Sequence, residues 1–295
     1  MKKKYLVVTG GAGFVGSNLI KCLVKKTKYN IISLDNYSTG STKNHIISEK
    51  VKYFKGDTKN ISKILFKYKS KIISLFHFGE FARIYQSFLK MNECINSNSI
   101  GTHEVFRFCL ENKIRCIYSA TSASLGNKGE DKNLSPYAFT KAKNLEMLEN
   151  LNKWFNLKYE VIYFYNVYGP NQISSGPMAT VIGIFEEQYK KGYPLTVVRP
   201  GTQSRKFTHI DDTIDVCFFA WKKRKCRHYS ISSKTSYTII QVANLFGGKI
   251  KYLPVRKGER FASALTNMNL SRKVFKIIGK KSLKQYVESL KNVAN

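Results

Sequence analysis

The amino-acid sequence predicts an α/β fold, a doubly wound parallel sheet followed by a smaller mixed domain. Up to residue 165, apolar strand-like runs alternate with helical patterns, which is typical of a parallel sheet covered by helices on both faces. After Asn166 the alternation ends in the connector GPNQISSGPM, and short strands and helices follow. We therefore predict two domains, residues 1–165 and residues 166–295, with the second partly interleaved with the first.

Six strands and the helices between them form the predicted sheet domain. The strands are the runs KYLVVTG, YNIISLD, VKYFKGD, KIISLFHFG, IRCIYSAT and YEVIYFYNVYG. Helical patterns cover about residues 14–26 and 99–112, and a third helix begins at Ser135, a good N-cap before a proline. A further helix over about residues 179–191 is predicted in the second domain.

The chain carries 50 basic and 19 acidic residues, a formal net charge of +31. This charge would suit a nucleic-acid partner, but the lysines are spread along the whole chain, and Asn and Ile are abundant, as in AT-rich coding sequences. We interpret the charge as compositional, although it would also help to collect a small anionic substrate, and we expect no nucleic-acid partner. No apolar run approaches the roughly 18 residues of a membrane span, and the N-terminal run is too short for a signal peptide. We therefore expect a cytoplasmic protein with no membrane partner.

The six cysteines are scattered along the chain without a CxxC pair. Zinc sites and disulfide frameworks both need cysteines at characteristic spacings, and a long cytoplasmic chain needs no disulfides to fold. The sequence thus predicts free thiols and no metal site.

The stretch TGGAGFVGS follows the first strand and opens the first helix, the context that a dinucleotide-binding fingerprint requires. Gly10, Gly13 and Gly16 allow a tight turn and the close approach of a pyrophosphate to the helix N-terminus. Asp35 ends the second strand, where a carboxylate binds ribose hydroxyls and repels a 2′-phosphate, so NAD is favoured over NADP. Asp57 ends the third strand and could receive the adenine amino group, or could be an ordinary turn residue.

Tyr137 and Lys141 lie four residues apart in SPYAFTK, at the start of the third helix. This spacing places both side chains on one helix face, about one turn apart. A lysine cation favours the deprotonated form of a neighbouring phenol, which is what a general base for alcohol oxidation needs. Taken alone, such a pair is common on amphipathic helices, but here it follows a dinucleotide fingerprint.

These motifs give the chain a resemblance to a known family. It resembles an extended short-chain dehydrogenase/reductase of the NAD-dependent nucleotide-sugar epimerase and dehydratase family. The matching stretches, in family order, are TGGAGFVGS, LDN, GD, FHFG, YSATSASLG, SPYAFTKAKNLE, YNVYGP, RKFTHIDD and PVRKGE. The resemblance implies a Rossmann-type sheet domain that binds NAD and a C-terminal domain that binds a nucleotide-diphosphate sugar.

The resemblance also implies roles for individual residues. Tyr137 would be the catalytic base, Lys141 its partner, and Thr121 a hydrogen-bond donor to the reacting sugar oxygen. The NAD-contacting positions would be Gly10, Gly13, Phe14, Val15, Asp35, Asn36, Asp57, Thr58, Phe78, Gly79 and Lys141. The positions that hold the nucleotide diphosphate would be Asn166, Arg205 and Arg256, and bidentate arginine–phosphate geometry makes the two arginines sensible.

The residues after Thr121 bear on the reaction. Dehydratases of this family carry an Asp–Glu pair there and a related decarboxylase a Glu, whereas this chain has Ser122 and Ala123. Without those carboxylates, the predicted site has one base, one hydroxyl and bound NAD, which suffice for reversible oxidation at sugar C4. We therefore predict a nucleotide-sugar 4-epimerase. The alternatives are an NAD(P)H-dependent 4-keto-sugar reductase, another nucleotide-sugar oxidoreductase or dehydratase, and a non-catalytic NAD-binding relative.

Two further substrate positions are predicted. Ser263 falls where plain-hexose 4-epimerases have a tyrosine against sugar C2, so an acetamido group would fit and UDP-N-acetylhexosamines would be accepted. Arg83 lies after the fourth strand, at the edge of the sheet where ligands bind, and is either a substrate contact or a plain surface arginine.

The resemblance implies a homodimer, built on the helix near residues 99–112 and the helix that begins at Ser135. Apolar positions such as Val105, Phe106, Leu145 and Leu148 would then meet the partner surface, unless they pack within the monomer.

Overall fold

The structure, a computed structural model, describes residues 3–122, 132–257 and 274–294. Its strands, in chain order, are β1 (Tyr5–Thr9), β2 (Asn30–Asp35), β3 (Val51–Lys55), β4 (Ile72–His77), β5 (Arg115–Thr121), β6 (Tyr159–Phe164), β7 (Val167–Tyr168), β8 (Leu195–Val198), β9 (Ser204–Lys206), β10 (Thr208–His209), β11 (His228–Ser232), β12 (Ser236–Thr238), β13 (Ile250–Leu253) and β14 (Val274–Ile278). The α-helices are α1 (Phe14–Lys26), α2 (Ile61–Ile64), α3 (Ile84–Leu89), α4 (Met91–Ile95), α5 (Thr102–Glu111), α6 (Pro136–Phe155), α7 (Val181–Lys190), α8 (Ile210–Lys223), α9 (Ile239–Phe246) and α10 (Leu283–Ala294).

Eight of these strands form one sheet, in the order β14-β11-β6-β5-β4-β1-β2-β3. Every neighbouring pair in it is parallel. The central strands β1 and β5 are almost entirely buried, and an apolar core lies on each face of the sheet, as the near-continuous apolar runs predict. The predicted parallel α/β fold is confirmed.

All six predicted strands belong to this sheet, but two more were missed. β11 and β14 come from the C-terminal part of the chain and extend the sheet beyond β6. Short strand pairs and a third apolar core, enclosed by α7, α9 and α10, make up the rest of that part. The C-terminal part thus contributes both to the large sheet and to a smaller unit.

The helix boundaries near Tyr137 and Lys141 follow local sequence signals. The Ser135 hydroxyl accepts a hydrogen bond from the Ala138 amide at 3.1 Å, and Pro136 occupies the first turn, so the predicted start of α6 is confirmed. The helix predicted over residues 99–112 corresponds mainly to α5. A π-helical segment, Asn96–Gly101, directly precedes α5, and α4 directly precedes that segment.

One expectation about these helices is wrong. Val105, Phe106, Leu145 and Leu148 are fully buried in the core of a single chain, where α5 and α6 pack on the sheet. The same side chains cannot also cover a partner subunit, so a dimer through these helices would have to use other residues.

All six cysteines are free thiols. Within the described ranges, no helix is both long and apolar enough to cross a bilayer. The same ranges hold no group of three metal-ligating side chains placed to bind an ion.

Candidate active site

The glycine turn after β1 lies directly against the turn after β4, at the carboxyl edge of the sheet. Gly10 has a φ of +68°, and a Cβ there would come within 2.8 Å of the Gly79 backbone. A Cβ on Gly16 would lie 2.1 Å from the carbonyl oxygen of Gly10. A side chain at Gly10 would push the turn away from the turn after β4, and one at Gly16 would push it away from α1, so both glycines are required by the fold of the turn.

The N-terminus of α1 opens onto this edge. Gly13 is its N-cap and has no side chain with which to cap the helix. The amides of the first turn, which begins with Phe14 and Val15, are therefore available to an anion, and the helix dipole favours one there.

The carboxylate of Asp35 lies beside the same turn and is nearly buried. Its Oδ2 accepts from the amide of Ala12 at 2.9 Å, and its Oδ1 accepts from the amide of Tyr37 at 2.8 Å. Each carboxylate oxygen can accept a second bond, so Asp35 is fixed in place and still able to receive ribose hydroxyls. This edge therefore fits a dinucleotide, because the glycine turn can receive its phosphates and Asp35 can accept hydrogen bonds from its ribose hydroxyls.

The other predicted cofactor positions surround this turn. Asn36 donates from Nδ2 to Asp57 at 3.2 Å, and Asp57 caps a short 3₁₀ helix that begins at the buried Thr58. The amides of Phe78 and Gly79 both donate to the Thr9 hydroxyl, at 3.2 and 3.1 Å. The Phe78 ring meets the Phe164 ring edge to face, with 5.5 Å between centroids. Asp57 is thus a turn-capping residue, as its alternative interpretation predicts, and it remains at the cofactor edge.

Tyr137 and Lys141 both lie in the first turns of α6 and are nearly buried. Lys141 donates from Nζ to the carbonyl oxygen of Ser119 at 2.6 Å, and its ammonium lies 4.8 Å from the centroid of the Tyr118 ring. The side chain of Lys141 therefore reaches from α6 to β5, as a lysine on the sheet-facing side of the helix must.

Thr121 is the last residue of β5 and is nearly buried. Because β5 ends at the carboxyl edge of the sheet, Thr121 lies at the same edge as the glycine turn and the start of α6. The structure thus places all three predicted catalytic residues at one edge, together with the predicted cofactor positions.

Sequence reasoning missed Glu80, whose carboxylate forms an ion pair with Lys141. The residue lies in the turn after β4, and its side chain is almost fully buried. The only sequence signal was a charged residue directly after FHFG, within the otherwise apolar run FHFGEFA. A buried carboxylate needs partners, and these are provided by elements far away in the sequence.

Arg83 is half-buried beside the start of α3, so it is not a plain surface arginine. Its Nε and Nη2 donate to the carbonyl oxygen of Met178 at 2.9 and 2.5 Å, and Met178 packs against the cluster that contains Tyr137. Burial lowers the pKa of the Arg83 guanidinium, and the neighbouring Tyr137 opposes that shift. Arg83 therefore presents a cation on the Tyr137 side of the site.

The predicted diphosphate residues lie on two other elements. Asn166 donates from Nδ2 to the carbonyl oxygen of Lys206 at 2.8 Å, next to Arg205 on β9, so these two positions are neighbours. The exposed Arg256 lies 5.5 Å from the ring centroid of Tyr85 on α3, the helix that follows Arg83. Ser263 lies outside the described residues.

Comparisons with known proteins agree with this arrangement. A family model described as the NAD dependent epimerase/dehydratase family matches residues 6–232. An ADP-L-glycero-D-manno-heptose-6-epimerase of Brachyspira hyodysenteriae is 28% identical over 81% of this chain and 79% of its own. A putative UDP-glucose 4-epimerase of Methanocaldococcus jannaschii is 28% identical over 86% of this chain and 87% of its own.

Among solved structures, the UDP-glucose 4-epimerase of Thermotoga maritima with UDP-glucose superimposes with a TM-score of 0.83. It is 22% identical, and the match covers 99% of this chain and 100% of that one, so it supports the fold. Because the family model spans well over half of the chain and the glycine edge fits a dinucleotide, the chain belongs to the NAD dependent epimerase/dehydratase family, and its cofactor is NAD.

Proposed function

We propose that this protein inverts C4 of a nucleotide-diphosphate sugar, a UDP-hexose or UDP-N-acetylhexosamine, through a 4-keto intermediate. The observation that carries the proposal is that Tyr137, Lys141 and Thr121 lie at the same edge of the sheet, the edge that fits the dinucleotide. NAD bound there would supply a hydride acceptor that later returns the hydride to the opposite face of the sugar, so no net oxidation occurs.

In this proposal the side chains move protons and hold the sugar. The phenol oxygen of Tyr137 takes the proton of the C4 hydroxyl as C4 is oxidised and gives it back as the ketone is reduced. Thr121 donates a hydrogen bond to the same sugar oxygen. Arg205, Arg256 and Asn166 bind the diphosphate, since arginine pairs well with phosphate oxygens.

The dehydratase alternative needs an acid and a second base that face the sugar. The two positions after Thr121 are Ser122 and Ala123, neither of which can serve. Glu80 is a carboxylate near Lys141, but it is enclosed by the protein and engaged with its neighbours, so it does not face a substrate. The tyrosine remains as the proposed acid and base at the reacting carbon.

A single assay separates the remaining alternatives. Purified protein is mixed with UDP-glucose, UDP-N-acetylglucosamine or an ADP-heptose, without added reductant, and the products are identified by NMR. Inversion at C4 is expected. When the substrate carries deuterium at C4, that deuterium is expected to remain in the product. Inversion at C6 of the heptose would instead match the relative from Brachyspira. Oxidation of the sugar to a ketone that requires added NAD and releases NADH would indicate a keto-sugar reductase running in reverse.

The same assay tests which UDP-sugar fits. We propose that the small side chain of Ser263 leaves room for a 2-acetamido group, and Ala262 and Ala264 are small too, so a shift of one residue does not alter the expectation. Ser263→Tyr is expected to remove activity on UDP-N-acetylglucosamine and to spare UDP-glucose. Equal activity of both proteins on the N-acetylated sugar would contradict the assignment.

We also propose that the protein is a cytoplasmic homodimer that pairs through α6 and the helix near residues 99–112, which contains α5, as the family resemblance implies. The exposed apolar side chains on α4, on α6 and on the segment between α4 and α5 are Met91, Ile95, Ile100, Phe139, Met147, Trp154 and Phe155. They lie on neighbouring helices that pack against each other within the chain. We propose a second copy of the chain as the partner, because in a twofold dimer the same helical face of each subunit would cover that of the other.

A further inference from the structure

Glu80 is a buried anion next to the proposed catalytic machinery. Its side chain is 1% exposed and that of Lys141 is 5% exposed, and the two form an ion pair. Lys141 donates to Oε2 of Glu80 and also to the carbonyl oxygen of Ser119. A charge pair removed from water in this way is stable only if the other oxygen of the carboxylate is also satisfied.

The other oxygen, Oε1, is surrounded by hydrogen-bond donors. It accepts from the hydroxyl of Thr102 at 2.9 Å, the phenol of Tyr118 at 3.1 Å and Nδ2 of Asn144 at 3.2 Å. These donors come from α5, β5 and α6, so three separate elements converge on one oxygen. In each of these contacts the carboxyl group accepts a hydrogen bond and in none does it donate one, which suits a charged carboxylate.

A directed chain of hydrogen bonds reaches Glu80 from the cofactor edge. The Thr9 hydroxyl accepts from the amides of Phe78 and Gly79, so its own hydrogen is left for Nδ1 of His77, at 2.7 Å. The Nε2 hydrogen of His77 then points to Thr102 at 2.9 Å, which in turn donates to Glu80. The whole chain therefore ends on the carboxylate.

We propose that Glu80 is a positioning residue for Lys141 that also offsets the lysine charge felt by Tyr137. This inference rests on the proposed role of Tyr137 as the base. With Glu80 in place, the ammonium and the carboxylate act on the phenol as a pair whose fields largely cancel. Arg83 then provides a cation on the Tyr137 side, and its guanidinium donates to the carbonyl oxygens of Met178 and Ala82.

Several other titratable groups surround this pair. His77 comes from β4, Tyr118 and Cys116 from β5, Cys94 from α4, and Arg83 from the start of α3. Burial lowers the pKa of His77 to about 4 and raises the pKa of Cys94 to about 11, so both are neutral near pH 7. Burial also raises the pKa of Tyr118, while the Cys109 hydrogen bond and burial raise that of Cys116. Among these groups of the described residues, Arg83, Lys141 and Glu80 are the charged ones.

The test measures the pH at which the phenol of Tyr137 ionises, with no need for turnover. Tyrosinate absorbance is titrated for the NAD-loaded protein and for its Tyr137→Phe counterpart, and the difference isolates one tyrosine among 18. Glu80→Gln keeps the shape but removes the negative charge, so the midpoint is expected to fall by about one pH unit or more. Glu93→Gln, an exposed carboxylate on α4, is the matched control and should leave the midpoint unchanged.

A double variant tests the cancellation directly and does not leave a buried charge unpaired. Glu80→Leu with Lys141→Met replaces the ion pair by apolar side chains of similar size, which folded proteins often tolerate. Its midpoint is expected within about 0.3 pH unit of the wild-type value, since the pair contributes little net field. A rise of one unit or more in the double variant, or an unchanged or raised midpoint in Glu80→Gln, would overturn the proposal. Absence of epimerase activity would count against the proposed function and would leave this titration readable.

Discussion

The hydroxyl of Thr9 and Nδ1 of His77 lie 2.7 Å apart, which joins the end of β1 to the end of β4 in the middle of the sheet. His77 is fully buried, and its other ring nitrogen lies 2.9 Å from the Thr102 hydroxyl on α5. Both ring nitrogens therefore have a hydroxyl partner inside the protein, and the neutral ring satisfies both contacts.

This burial should make stability depend on pH. Burial lowers the pKa of His77 from its usual 6.5 to about 4, against the opposing effect of Glu80. The unfolded chain thus takes up a proton below about pH 6.5 while the folded chain does not, so stability present above that pH is lost as the pH falls toward 4. We expect wild type to lose about 2 kcal/mol between pH 7 and pH 5 through this group, measured by urea unfolding.

The control for this prediction is the exposed His103 on α5. His103→Gln should show the wild-type loss of stability at pH 5, whereas His77→Gln should show a loss smaller by about 2 kcal/mol. Equal losses in the two variants would mean that another group causes the pH dependence.

Removal of the phenol hydroxyl of Tyr137 should abolish most turnover without unfolding the protein. The Tyr137 amide donates to the Ser87 hydroxyl through the backbone, and the ring packs with Phe81 and Ala138, so Tyr137→Phe keeps these contacts. General-base groups contribute about a hundredfold to ten-thousandfold, and we expect a fall of that size in kcat with unchanged NAD binding and melting temperature. Tyr193→Phe, at an exposed position, is the control and should retain full activity.

Asp35 should decide the choice between NAD and NADP. Its carboxylate lies beside Ala12 and Tyr37, where a 2′-phosphate would meet a negative charge. Asp35→Asn should weaken NAD binding about tenfold, because a hydrogen-bond acceptor with a charge is lost. It should also reduce the preference for NAD over NADP, as measured by titration of cofactor-free protein with each dinucleotide. The exposed Asp215 offers a control, and Asp215→Asn should change neither affinity. A preference for NAD that survives in Asp35→Asn would show that another group excludes the phosphate.

Sequence patterns predicted the parts of this fold that depend on local chemistry. The glycine turn, the capped start of α6 and the buried strands each have a signal within a few residues. β11 and β14 were missed because HYSIS and VFKII are short, mix polar with apolar residues, and join the sheet next to a strand distant in the sequence. Glu80 was missed for a related reason, since its partner Lys141 lies 61 residues further along the chain.

The last prediction concerns the proposed dimer. Ile100 precedes α5 and Met147 lies on the neighbouring α6, and both side chains are exposed although the helices around them are well packed. A charge at either position would be buried against the partner subunit without a counter-charge, which is strongly unfavourable. We expect Met147→Glu and Ile100→Glu to raise the dimer dissociation constant at least about tenfold in sedimentation velocity experiments. Phe66→Glu changes another exposed apolar residue, away from these helices, and should leave the dimer intact. A wild-type protein that sediments as a monomer at micromolar concentration, or a dimer unaffected by both glutamates, would show that this face is not the interface.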